Sequence, residues 1–410
     1  MSSSSLLLAG TFFTTMVHAS SKYNFPSSGI CTMTNQATIE QLAQRPVHEQ
    51  AQHAYTLPSR LYLDPEAYEQ EKHKIFNYNW HYAGHLSQLG KTGDYLTATV
   101  ADESIFVVRC QDEKLRAFYN VCRHRAHRLL EGSGNTTNVV CPYHAWSYAL
   151  TGELRHAQHS EKVPGFDKSE FCLRPVQVDT LCEFVFFNLD PEADSLESLA
   201  PGLAQDIRKR IPDLDGFKPV DTMSFGPETI AANWKVVADN YLECYHCTPA
   251  HPDFASLIDM SSYRMDTFHN WSRQLGPKTR PENSAYAFDP GTPNQESAFW
   301  YLWPTTTINM LPGHSCFTIL SFLPLDHETT SFAGHRYGLD ADPNIELQLQ
   351  YVNNTLGPED VALCESVQKG LKSQSYDQGR FIVDPDLSGI AEHAVHQFHR
   401  LVLAALEPSG

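Results

Sequence analysis

Two short cysteine–histidine pairs constrain this chain more than any other feature. The segment Asn120-Val-Cys-Arg-His-Arg-Ala-His127 carries Cys122-x-His124, and Val140-Cys-Pro-Tyr-His-Ala-Trp146 carries Cys141-x-x-His144, with 16 residues between His124 and Cys141. Two thiolates and two imidazoles on adjacent loops can hold one compact metal centre, soft anionic donors beside neutral ones. The fold around them must therefore set two loops side by side. Two Cys and two His also suit tetrahedral zinc, but zinc sites usually run Cys then Cys, His then His. Here each pair is mixed, Cys then His.

The surrounding sequence fits a small β domain. Between about 81 and 190 short apolar runs (Ile105-Phe-Val-Val108, Leu115 to Val121, Val139-Val140, Phe184-Val-Phe-Phe187) alternate with turn residues such as Gly90, Gly93, Gly132, Gly134 and Thr151-Gly152. With Phe118-Tyr119-Asn120 before the first pair and Trp146 after the second, the segment resembles the Rieske domain of ring-hydroxylating-type oxygenases. In that family two histidines replace two cysteines on one iron of a [2Fe–2S] cluster. The resemblance implies that Cys122, His124, Cys141 and His144 bind the cluster. Ala126 stands where many relatives have Gly, and little consequence is expected.

A second cluster of donors lies at 232–252, Ala-Asn-Trp-Lys-Val-Val-Ala-Asp-Asn-Tyr-Leu-Glu-Cys-Tyr-His-Cys-Thr-Pro-Ala-His-Pro. Its first part reads as a helix, on which Glu243 and His246, three apart, would share a face. Pro249 and Pro252 would end that helix and let His251 fold back toward His246. Two imidazoles and one carboxylate make the facial triad of non-haem Fe(II) oxygenases. The resemblance identifies His246 and His251 as the iron histidines and points to Asp360 as the carboxylate, with Glu359 and Glu365 as rivals on the same helix. It also implies that Glu243 bridges His246 to His144 or His124 of a neighbouring subunit and relays the electron, with Asp239 as second candidate. A carboxylate between two metal-bound imidazoles accepts both N–H groups and fixes both rings. Such a bridge implies a ring-shaped homo-oligomer, a homotrimer.

The expected fold class is α+β. Residues 1–38 are expected to form a disordered or leader-like extension, 39–80 an N-terminal helical segment packing on the catalytic domain, 81–190 the Rieske domain, and 200–405 the catalytic mononuclear-iron domain with an antiparallel sheet flanked by helices. Helices are expected at 200–210, 232–247, 343–355 and 358–373, and strands at 221–230, 305–311, 316–323 and 330–338. Residues 1–39 lack Asp and Glu and are rich in Ser and Thr. The expected location is the cytoplasm, or a plastid if the extension is a transit peptide.

The formal charge of −18, from 30 basic and 48 acidic residues, argues against non-specific binding to nucleic acid or anionic membrane. No apolar run is long enough for a membrane span. The ten cysteines, scattered along a long chain, read as those of a reduced compartment, a few holding metal and the rest buried or idle. No Gly-rich dinucleotide motif is present. Electrons from NAD(P)H would then arrive through a separate flavin/iron–sulfur reductase, as the resemblance implies.

For the substrate, Glu at position 243, Asp239 to Cys247, Glu365 to Leu371, Gln374 to Arg380 and His396-Gln-Phe-His399 resemble the branch acting on quaternary ammonium compounds: carnitine monooxygenases, choline monooxygenases and betaine demethylases. O2 and a C–H bond of such a compound would be the reactants. A trimethylammonium group needs aromatic faces. Trp271, Trp300, Tyr301 and Trp303 are the candidate cage, with Phe254 and Tyr263 near them in sequence. An aromatic-ring dioxygenase with the same metals, a Rieske electron carrier and a zinc-stabilised binding protein are the competing readings.

Overall fold

In the computed structural model, residues 45–211, 213–220, 229–292, 294–313, 316–339 and 345–407 are described. The extension at 1–38, most of the strand expected at 221–230 and the start of the helix expected at 343 lie outside them.

Two antiparallel sheets organise the chain. The first has seven strands in the order His81–His85, Phe184–Asn188, Pro175–Leu181, Leu115–Tyr119, Glu103–Arg109, Asp94–Val100 and Ser133–Asn135. A small sheet of Val139–Val140, Ser147–Tyr148 and Leu154–His156 lies beside it. The run Ile105 to Val108 is buried on both faces, as its unbroken apolar sequence requires. One face packs with Phe118, Trp146 and Tyr148 around Cys122 and Cys141.

The second sheet runs Lys218–Pro219, Thr330–Gly338, Cys316–Pro324, Thr306–Met310, Ser297–Leu302, Trp271–Gly276 and Arg264–Thr267. Three of these strands, from Arg264 to Leu302, were not foreseen from the sequence. On one face Trp271, Ala298, Trp300 and Ile308 pack against Leu203 and Ile207 of the Leu203–Arg210 helix. The other face looks toward the helices Trp234–Tyr241 and Gly357–Leu371.

The Trp234–Tyr241 helix starts at Asn233, whose side chain accepts the Lys235 N–H. Its first five residues are all buried. Lys235 Nζ lies 2.6 Å from Glu71 Oε1, and Trp234 Nε1 donates to Glu71 Oε2 at 2.7 Å. Glu71 belongs to the Pro65–Lys74 helix, so the N-terminal segment reaches into the heart of the second half.

The first sheet's edge strand meets the second sheet through Tyr82, whose hydroxyl bonds Tyr337 (2.7 Å) and His335 (2.9 Å). Next to it, burial lowers His81 to about 4, with the Phe76 carbonyl pulling the other way, and burial with His335 lowers His85 to about 4. Both fall below the usual histidine value of about 6.5. The unfolded chain therefore takes up protons that the folded one refuses, and stability is lost as pH falls from 6.5 toward 4. Urea midpoints should drop over that window, and His81→Gln should flatten part of the slope; an unchanged slope in the variant would remove His81 from this account.

Candidate metal centres

Each cysteine–histidine pair sits in the same kind of tight loop. The Cys122 N–H bonds the His127 carbonyl and the Ala126 N–H bonds the Cys122 carbonyl; Cys141, Trp146 and Ala145 repeat the pattern. The repeat places Ala126 and Ala145 at φ 54° and 55°, left-handed conformations that cost a non-glycine residue about 1–2 kcal/mol. The residue noted at 126 thus sits where glycine is favoured, a larger consequence than expected from its size.

Cys122 and Cys141 are buried, and the Tyr148 hydroxyl lies 3.3 Å from Cys122 Sγ while accepting the Arg123 N–H. His124 and His144 lie at the outer edge with ring centroids 4.6 Å apart, His124 stacked on Trp146. Two buried sulfurs and two outer imidazoles would suit a two-iron cluster that takes two histidines on one iron.

The second set converges more tightly. His246 Nε2 and His251 Nε2 are 3.1 Å apart, and Asp360 Oδ1 lies 3.0 Å from His251 Nε2 and 3.5 Å from His246 Nε2. Among the described residues these three are the one group of His, Cys, Asp or Glu that converges to hold a single ion. Behind them stand two further carboxylates. Glu243 Oε1 bonds His246 Nδ1, and Glu359 Oε2 lies 2.7 Å from His251 Nδ1. Such partners fix the ring and leave Nε2 for the metal. Burial lowers both imidazoles, but Asp360, with Glu243 and Glu359, more than offsets it and leaves His246 raised to about 10. A divalent ion would neutralise this excess of carboxylate.

Local chemistry explains the geometry. The helix ends at Tyr241, so Glu243 and His246 do not share a helix face as expected. They meet in a turn, where Glu243 Oε2 accepts the backbone N–H groups of Tyr245 and His246. Asp360 lies one turn into Gly357–Leu371, directly after a π-helical segment, Val352–Leu356. Pro358 has no N–H to offer the preceding turn, and π segments often mark functional sites.

The rivals are placed elsewhere. Glu359 backs His251, and Glu365 accepts the Ala231 N–H at 3.3 Å. Asp239 binds the Tyr62 hydroxyl (2.6 Å) and His399 Nε2 (2.8 Å), whereas Glu243 is the carboxylate on His246. Cys244 and Cys247 are buried, as expected of cysteines that hold no metal, but are joined as a disulfide rather than reduced.

A cavity of about 270 Å³ opens onto this centre, touching Glu243, His251 and Asp360. Its sheet wall includes the cross-strand row Gln274, Phe299, Asn309 and Thr318. The expected aromatic cage is not there. Trp271 and Trp300 point to the far face, donating to the Pro201 carbonyl and Asp206. Tyr301 and Trp303 pack against Phe398 in the core. Strand alternation decides this: Phe299 faces the cavity, so its neighbour Trp300 cannot. Phe254, Tyr263, Phe299, Phe317, Phe322 and Phe332 supply aromatic lining, with Tyr241 on the helix side.

The comparisons with known proteins agree with both halves. Residues 79–167 match the Rieske [2Fe-2S] domain, and 213–407 match the ring hydroxylating alpha subunit (catalytic domain). The carnitine monooxygenase oxygenase subunit of Escherichia coli (strain K12) is 41% identical over 86% of this chain and 94% of that one. The chloroplastic choline monooxygenase of Spinacia oleracea is 30% identical over 91% of this chain and 84% of that one. A solved quaternary ammonium Rieske monooxygenase superposes with a TM-score of 0.79 at 36% identity, covering 86% of this chain and 96% of that one. Naphthalene 1,2-dioxygenase from Rhodococcus sp., at 21% identity and a TM-score of 0.72 over 87% and 95%, shares the fold. No helix among the described residues is long and apolar enough to cross a membrane.

Proposed function

The chain belongs to the Rieske non-haem iron oxygenases, and from that premise we propose that it hydroxylates a quaternary ammonium compound of the carnitine, choline or betaine class. It is an enzyme, an oxygenase component that works with a reductase. When bound, its cluster passes single electrons onward and its mononuclear iron activates dioxygen for insertion into a C–H bond. Cys122, His124, Cys141 and His144 would hold the first, and His246, His251 and Asp360 the second.

The observation that carries the substrate reading is the cavity wall. Aromatic residues, Phe254, Tyr263 and Phe299 among them, share its lining with the carboxylates of Glu243 and Asp360, and no Lys or Arg is among its described lining residues. Aromatic faces and negative charge favour a cation. The relatives named for carnitine and choline support the same class. Reductase-coupled NADH oxidation with carnitine, choline and glycine betaine tests it: one of them should accelerate turnover and yield an oxidised product, and failure of all three alongside turnover of a neutral aromatic would refute it.

Glu243 holds His246 Nδ1 and two backbone N–H groups, and it would join this ring to a cluster histidine of a neighbouring subunit. That role supports a homotrimer, served by a flavin/iron–sulfur reductase that takes electrons from NAD(P)H. The compartment is proposed as the cytoplasm, the chloroplastic relatives making a plastid the alternative. Glu243→Gln should lower kcat by about 10–100-fold, the usual cost of losing a partner behind a metal ligand, with both metal centres still loaded. Steady-state kinetics beside iron analysis checks this; unchanged kcat would remove the bridge.

A further inference from the structure

The turn that carries Glu243 and His246 also carries a second chemistry. Cys244 and Cys247 are bonded across it, with His246 between them, at the Cys-x-x-Cys spacing typical of exchangeable thiol pairs. It is the one disulfide among the described residues. The pair is 1% and 5% exposed, yet both residues line the cavity. A molecule small enough to enter the cavity reaches both residues.

A disulfide that closes so short a loop removes little freedom from the unfolded chain compared with one closing a long loop. Its effect is local. Bonded sulfurs sit about 2 Å apart, and separated ones need van der Waals distance, more than about 1 Å further. That change falls across the turn in which Glu243 accepts the N–H groups of Tyr245 and His246, so it acts on the ring that the centre needs in place.

We propose that Cys244 and Cys247 form a reversible dithiol–disulfide site, oxidised by peroxide inside the cavity, whose state sets how firmly the His246 turn retains its metal. One thiolate attacks a peroxide oxygen, the O–O bond breaks, and a sulfenic acid and water result. The second thiol displaces the sulfenic hydroxyl as water and the S–S bond forms. Overall two thiols and one hydrogen peroxide give one disulfide and two waters. Peroxide is the two-electron reduction product of the dioxygen that an oxygenase consumes, and an external dithiol reverses the step by thiol–disulfide exchange. The oxidised pair accompanies the converged His246, His251 and Asp360, so the disulfide is the metal-retaining form. This coupling rests on the metal-centre reading above.

The test uses the iron-loaded full chain, treated anaerobically with a dithiol or with one equivalent of hydrogen peroxide. Alkylation and peptide mass spectrometry should show the peptide carrying Cys244 and Cys247 gaining two alkyl groups after the dithiol and none after peroxide. Iron release to a ferrous chelator should be about tenfold faster in the dithiol form, within the range by which groups behind the ligands tune metal affinity. Cys244→Ser/Cys247→Ser should release iron at the fast rate after either treatment, and the cluster's visible spectrum reports whether that variant has folded. Thiols that persist after peroxide, or wild-type release rates that do not differ, would overturn the proposal. Absence of a third iron before any treatment would instead sink the metal reading and the coupling with it, while the alkylation result still reports on the thiol pair.

Discussion

Asp360→Ala is expected to abolish turnover while leaving the protein coloured. Asp360 is the carboxylate that closes the set with His246 and His251, and its oxygen lies within 3.0 and 3.5 Å of the two Nε2 atoms. Without it, two imidazoles remain to hold a divalent ion, too few for a stable facial site. Iron per chain should fall from about three to about two, while acid-labile sulfide stays at about two, because the Cys122/His124/Cys141/His144 loops lie in the other half of the chain. Activity should fall by more than the roughly 10–100-fold that losing an outer partner costs. Glu359→Ala, which removes only the group behind His251, should show that milder effect. If Asp360→Ala kept its third iron, the ligand would have to be another residue.

Lys235→Met is expected to cost the fold more stability than any of the other substitutions. Lys235 and Glu71 are both fully buried. Burial lowers the lysine's pKa, and Glu71 works against that shift. Removing one partner leaves the other charge without compensation in the interior, a loss of about 3–5 kcal/mol. The double variant Lys235→Met/Glu71→Gln should recover most of it, because Gln keeps an acceptor for Trp234 Nε1 without the charge. Urea unfolding of the two variants checks this. Equal losses in the single and double variants would mean that the pair's charge is not what the core depends on. Because the Trp234–Tyr241 helix leads directly into Glu243 and His246, the single variant should also release its iron more readily.

What the sequence revealed and what it hid divide along one line. The cysteine–histidine pairs and the His246/His251 pair were legible because their donors lie within a few residues of each other, so a local turn is enough to bring them together. Asp360 lies over a hundred residues away, and only the family resemblance pointed to it; the π segment before Pro358 that precedes it left no periodic signal. The aromatic cage failed because a tryptophan-rich strand does not announce which face is which: Trp300 and Phe299 are neighbours in sequence and opposites in space. The helix expected through 247 stops at Tyr241 because the Glu243 side chain captures backbone N–H groups in a turn. The Glu71–Lys235 pair joins elements 164 positions apart and could not have been read from either one. The strands from Arg264 to Gly276 mix charged, polar and apolar residues, and lacked the clean alternation that identifies a half-buried strand.

The most direct test of the central claim is to supply reductase, NADH and isotopically labelled dioxygen with a trimethylammonium substrate and with its neutral carbon isostere, and to count labelled oxygen in the products. One labelled atom is expected in the oxidised carbon fragment and the other in water, with turnover of the cation well above that of the isostere. Two labelled atoms in one product, or equal turnover of the neutral compound, would contradict the claim.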